Sequence, residues 1–163
     1  PSVGLAMAEE ASSLKLYMAD TGLLVTQAFA DEARSAQVHR DIQFGKVSVN
    51  KGMIAENAVA QQLRAQGHAL YYHAWSEPGL SAGAKPRPRE IDFLLARPFS
   101  DAAGKLRVSP VEVKSSRSYS TVSLDDFSAR YGKRAGEELV LHPKQLKVAG
   151  RRAYLPLYMA HLV

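Results

Sequence analysis

The sequence predicts an α/β sandwich in which helices flank a mixed four-stranded sheet, and three observations lead there. The stretch 51–66 has a helical apolar stripe, with a glycine just beyond its end. Residues 90–96 and 107–114 read as neighbouring strands, with a turn around Asp101 to Gly104 between them. A second capped helix and a short apolar run, Glu138 to Leu141, follow them. The resulting order is helix, three strands, helix, strand.

Taken in order, residues 1–14 read as a lead-in segment and 15–163 as one domain. Leu14 to Ala19 is expected as a short strand ending at Asp20-Thr21-Gly22. A helix from Leu23 to about Ala36 follows, with Asp20 or Thr21 as its cap. The helix beginning at Lys51 is capped by Asn50, carries Ala55, Val59, Ala60 and Leu63 on its apolar stripe, and stops before Gly67. Ala69 to Trp75 alternates as a strand, and the Gly- and Pro-rich stretch from Ser76 to Arg89 reads as a loop. After a polar loop from Ser115 to Thr121, Ser123 caps a helix with Leu124, Phe127 and Tyr131 on one face, ended by Gly132. Pro156 suits the first turn of a closing helix.

The 163 residues are 46% hydrophobic and 23% charged, a composition that folds around a core of its own. The sequence has no cysteine, which removes disulfide scaffolds and thiolate metal sites and suits a cytoplasmic setting. No apolar run reaches the ~20 residues of a membrane span. The net charge of +5 is uneven. Residues 1–80 hold 6 Lys/Arg against 8 Asp/Glu, and residues 81–163 hold 15 against 8. That imbalance favours a polyanionic partner for the second half, although a soluble basic surface reads the same way.

The chemistry concentrates on the two strands. Residues two apart in a strand share a face. Glu112 and Lys114 are therefore expected on one face, with Val111 and Val113 on the other. Glu90 and Asp92 likewise share a face, opposite Ile91 and Phe93. Carboxylates on adjoining strands suit a hard cation that keeps water in its shell, as phosphate chemistry requires. Glu56 falls inside the apolar stripe of its helix, where a carboxylate needs a cation, a hydrogen bond or a proton. Two plainer readings stand beside these: Glu56 favouring the positive end of its helix with Asn57 and Lys51 near, and Glu112–Lys114 as a solvated ion pair.

Glu56 on a helix, Asp92 on a strand and then Glu112-x-Lys114 resemble the PD-(D/E)XK nuclease superfamily. Lys15-Leu16-Tyr17-Met18-Ala19-Asp20-Thr21-Gly22-Leu23-Leu24, Gly52-Met53-Ile54-Ala55-Glu56-Asn57, Glu90-Ile91-Asp92-Phe93-Leu94 and Val111-Glu112-Val113-Lys114 together resemble a narrower group. It is the uncharacterised C-terminal domain of a prokaryotic AAA+ ATPase family. The resemblance implies a restriction-endonuclease-like αβββαβ core and an upstream P-loop ATPase with a winged helix as partner. It further implies Mg²⁺ or Mn²⁺ held by Asp92, Glu112, Glu56 and the Val113 carbonyl, with Lys114 orienting water or stabilising phosphate charge. The implied reaction is phosphodiester hydrolysis of DNA; the alternative is a catalytically silent DNA-binding or partner-docking module. The chain has no G-x-x-x-x-G-K-[ST] and so no ATPase site of that type.

Lys85, Arg87 and Arg89, and then Arg130, Lys133 and Arg134, are candidates for phosphate contacts or, more plainly, solvated loops. Tyr71, His73 and Trp75 share a strand face, where they would stack on bases or fill the core. Asp20-Thr21-Gly22 imitates an aspartic-protease loop but has no second copy. His39, His68, His142 and His161 show no metal-ligand spacing.

Overall fold

A computed structural model describes residues 13–28, 36–38, 40–41, 51–79, 81, 83–98 and 106–163. The expected turn at 101–104, the Asn50 cap and the 29–35 part of the helix expected to reach Ala36 lie outside these residues, as do His39 and all but two residues of the 1–14 segment.

Within them, the elements are α1 (Thr21–Ala28), α2 (Lys51–Ala65), β1 (Tyr71–Glu77), β2 (Arg87–Pro98), β3 (Leu106–Val113), α3 (Val122–Tyr131), β4 (Glu138–His142), β5 (Lys147–Ala149) and β6 (Arg152–Pro156). Short 3₁₀ helices span Gly132–Arg134 and Leu157–Leu162. The sheet is mixed, as expected, but it has six strands rather than four, in the order β1-β2-β3-β4-β6-β5. Strands β1, β2 and β3 run antiparallel, β3, β4 and β6 pair in parallel, and β5 returns antiparallel on β6. No helix among the described residues is long and apolar enough to cross a membrane.

The expected order of helix, three strands, helix and strand is present, and β5 and β6 extend it. Pro156 ends β6 and precedes a 3₁₀ turn, rather than opening an α-helix. The loop expected over 76–89 is shorter, because β1 continues to Glu77 and β2 begins at Arg87. Helix α3 starts at Val122 after Thr121, so Ser123 lies inside it. Leu14 to Ala19 forms no strand.

Two cores sandwich the sheet. Val59, Ala60 and Leu63 of α2 pack on Phe93, Leu95, Val111, Leu139, Leu141 and Ala153. On the opposite face, Leu124 and Phe127 of α3 pack on Ile91, Leu94 and Val140. Burying each such valine, leucine, isoleucine or phenylalanine side chain stabilises the fold by about 1.5–3 kcal/mol. Helix α2 stops where the sequence indicated, with Gly67 at φ 87° just past its end.

One irregularity positions the site. Tyr71 pairs with Leu94 but His73 with Ile91, so three steps of β2 match two steps of β1. The extra residue forms a β-bulge at Asp92–Phe93, which lets neighbouring side chains point to the same side. Ile91 therefore joins the α3 core while Phe93 joins the α2 core, correcting the expectation that they share a face.

Candidate functional site

Residues 13–20 cross the α2 side of the sheet as a strap, pinned chiefly by polar side chains of α2. Asn57, buried at 3% exposure, accepts from the Met18 N–H at 2.8 Å and donates to the Met18 carbonyl and Thr21 Oγ1. Gln61, one helical turn on, accepts from both the Thr21 N–H and its hydroxyl. Asp20 accepts from the Leu23 N–H and so caps α1, which is the role the Asp20-Thr21-Gly22 sequence plays here. Along the strap, Leu14 and Leu16 are exposed while Lys15 and Tyr17 turn inward.

The inward pair meets the acidic side chains. Lys15 Nζ donates to Glu56 Oε1 at 2.8 Å, pairs with Glu90 and lies 3.8 Å from Asp92 Oδ1. Tyr17 donates to the same Glu56 oxygen at 2.7 Å, its ring 5.5 Å from that of Phe93. The cation that a stripe-facing Glu56 requires is thus Lys15. Burial opposes the charge on Lys15, but the bonds from Glu56 and Glu90 outweigh it and hold the ammonium above its ordinary pKa. Burial, reinforced by the bond to Glu56, drives the Tyr17 hydroxyl well above its usual range.

Asp92 sits where β2 and β3 part. The pairing of these strands reaches Phe93–Val111. Just beyond it, Asp92 Oδ2 accepts the Val113 N–H at 2.7 Å. Burial raises the Asp92 carboxyl to about 6, and the nearby Glu56 and Glu112 charges push the same way against Val113 and Lys15.

Glu112 takes a different position. Val111 and Val113 on either side of it pack on the α2 core, so Glu112 turns toward α3. It is 2% exposed, and its Oε2 lies 2.8 Å from Lys114 Nζ without an aligned hydrogen bond. Burial raises its carboxyl, opposed by Lys114 and then Arg152. The structure therefore gathers Glu56 and Asp92 around Lys15 and sets Glu112 with Lys114 on the other side of the strand. Val113 touches Asp92 through its amide nitrogen.

The carboxylates suit a hard cation by their chemistry. By their arrangement they hold an ammonium. Among the described residues, no group of three or more His, Cys, Asp or Glu is arranged to take a metal ion.

The basic candidates are mostly engaged. Arg89 pairs with Asp126 at 2.5 Å, Arg130 with Glu77 at 3.4 Å, and Arg87 donates to the Pro78 carbonyl. Lys85 and Arg134 are exposed, and the Lys133 side chain lies outside the described residues. Tyr71 and Trp75 pack against the α3 core, and His73 stacks on Trp75 at 5.0 Å and contacts the Tyr131 hydroxyl at 2.6 Å. These rings fill the interior.

Lys15 and Tyr17 are residues of this site to which sequence reasoning gave no role in it, and Asn57, read only as a neighbour of Glu56, instead pins Met18. The signal available for them was the unmatched carboxylate at Glu56, which demanded a cation from somewhere. A family profile described as a domain of unknown function, DUF4143, matches residues 51–159. Neither the curated proteins nor the solved structures contain a match to the chain.

Proposed function

We propose that this chain, which belongs to the DUF4143 family, is a metal-dependent nuclease-like domain acting on DNA by phosphodiester hydrolysis. One observation carries the reading. Asp92 is held by the Val113 N–H at the parting of β2 and β3, beside Glu56 and one strand from the Glu112–Lys114 pair. The same elements support a restriction-endonuclease-like core of α2, β1 to β3, α3 and β4, with β5 and β6 as an extension. We take the domain to be the C-terminal part of an AAA+ ATPase, whose upstream domains would deliver DNA.

In this reading Asp92 and Glu56 would hold Mg²⁺ or Mn²⁺, while Glu112, which turns toward α3, would lie outside that set. When bound, the ion would supply charge stabilisation on the phosphate and an activated water. Asp92 is oriented by the Val113 amide, which fixes one oxygen and leaves the other toward Lys15. Lys114 would remain close to Glu112 and offset negative charge on a phosphate entering between the strands. Exposed Lys85 and Arg134 would steer the backbone.

The test is plasmid incubation with Mn²⁺, wild type beside Asp92→Asn. Cleavage by the wild type and its loss in the variant are expected; equal cleavage by both would remove Asp92 from the chemistry. A second reading, a catalytically silent DNA-binding or partner-docking module, is favoured by Lys15, whose ammonium already occupies the position among the carboxylates. Salt-sensitive DNA binding without turnover would support it.

A further inference from the structure

We infer that Tyr119 and Tyr154, each with a lysine over its ring, form a stacking surface for single-stranded nucleic acid on the α3 side of the sheet. The inference rests on the proposed action on nucleic acid, but on neither the metal nor turnover.

The basic residues divide by what they face. Arg89, Arg97, Arg130 and Arg152 are engaged by carboxylates. Arg117, Lys144 and Lys147 are exposed, and among the described residues no carboxylate lies within ion-pair distance of them. Lys144 Nζ instead lies 5.1 Å from the centre of the Tyr119 ring, and Lys147 Nζ 5.8 Å from that of Tyr154. No Asp or Glu occurs in 113–124 or in 139–163, the two stretches that meet here. The local potential is therefore positive and open to an anion.

Ammonium groups and ring faces together suit a single strand. Phosphates need cations and bases need flat apolar faces; a duplex keeps the faces of its bases stacked on one another. A base settling on either ring moves the ammonium aside, where a phosphate accepts it. The exchange is favourable, because a base on a ring gains more than an exposed ammonium loses by leaving it.

The rings are held ready. Both tyrosines are half-buried and pack on the core beneath α3. His142 lies between them, its ring centre 5.7 Å from each. His142 Nε2 is 3.2 Å from the Gln145 carbonyl, which can only accept, so Nε2 carries the proton. Nδ1 is then left to accept from the Tyr119 hydroxyl at 2.6 Å. Burial, helped by Lys144 against the Gln145 bond, lowers the imidazole pKa and preserves this arrangement at neutral pH. The surface also shares an end of the sheet with the candidate site. The Val113 N–H donates to Asp92, and the next amide, that of Lys114, donates to the carbonyl of Leu141, the neighbour of His142. Two strand spacings, about 10 Å, thus separate Asp92 from His142 across the sheet.

Fluorescence anisotropy with a short labelled DNA strand and with its duplex, both in EDTA, tests the inference. The wild type should prefer the single strand. Tyr119→Leu and Tyr154→Leu, checked for folding by thermal melting, should each weaken single-strand binding about tenfold. Tyr119→Phe keeps the ring, drops only the bond to His142, and should bind as wild type does. Lys144→Gln combined with Lys147→Gln removes two phosphate contacts and should flatten the slope of log affinity against log salt by about 1.4. Equal or stronger binding of the duplex, leucine variants that bind like wild type, or an unchanged salt slope would each overturn the inference. So would polyglutamate competing as well as the oligonucleotide, since the surface would then be basic without reading bases. Ring-dependent binding without DNA cleavage under Mn²⁺ would keep the surface and sink the nuclease reading. Cleavage by a protein whose leucine variants bind normally would do the reverse.

Discussion

Asp92→Asn should stabilise the protein at neutral pH, and the size of the gain follows from the position of the carboxyl. The folded protein raises it from 3.8 to about 6, chiefly by burial. A folded pKa above the unfolded one means that the native state binds more protons. Stability from this group is therefore complete below 3.8 and falls as pH rises through 6. At pH 7 the ionised carboxylate costs about 3 kcal/mol relative to its neutral form. Asparagine is a neutral isostere whose side-chain carbonyl can still accept the Val113 N–H. Allowing for burial of the amide NH₂, which costs about 1 kcal/mol on mutational scales, the net gain should be about 1–3 kcal/mol. Urea unfolding at pH 4 and pH 7 measures it. The variant should gain at pH 7 and match wild type near pH 4. A variant less stable than wild type at pH 7 would refute the claim that desolvation dominates at Asp92. Because the substitution should strengthen the fold, lost DNA cleavage in the same variant would report chemistry rather than unfolding.

Two further substitutions probe the supports of the site. Asn57→Ala should cost about 1–3 kcal/mol, since it orphans backbone groups of Met18. It should also increase proteolysis within 13–20, checked by limited digestion. Lys114→Ala should cost about 3–5 kcal/mol by leaving the buried Glu112 without its ion-pair partner; chemical denaturation at pH 7 measures it, and Glu112→Gln in the same background should recover part of the loss.

The parts of this molecule legible in its sequence are those where local pattern and tertiary packing agree. Val59, Ala60 and Leu63 recur at helical spacing and bury one face of α2. The alternation in Val111-Glu112-Val113 predicts the valines on one face and the glutamate on the other, as found. Strands β5 and β6 were invisible for the opposite reason. β5 is three exposed residues, and β6 takes its place through the parallel ladder with β4. Non-local pairing of that kind leaves no periodic trace. The bulge at Asp92–Phe93 was equally hidden, because a strict period of two was the only rule available to Glu90-Ile91-Asp92-Phe93.

The strap inverts that logic, and the inversion itself is informative. In a half-buried strand Leu14 and Leu16 would face the core and Lys15 would face water. Instead the leucines are exposed, and Lys15 is inside among carboxylates. Hydrophobic burial alone would favour the other face, so the electrostatic demand of Glu56, Glu90 and Asp92 sets the orientation. Clustered carboxylates cost stability unless a cation attends them, and α2 fixes one of them in place regardless. Departures from local pattern of this sort concentrate where a fold holds groups for use rather than for stability. Here the departure, the raised carboxyl of Asp92 and the unaligned oxygen of Glu112 all lie around the parting of two strands. Packing alone would have filled that gap with apolar side chains, which makes it the place where activity should be sought first.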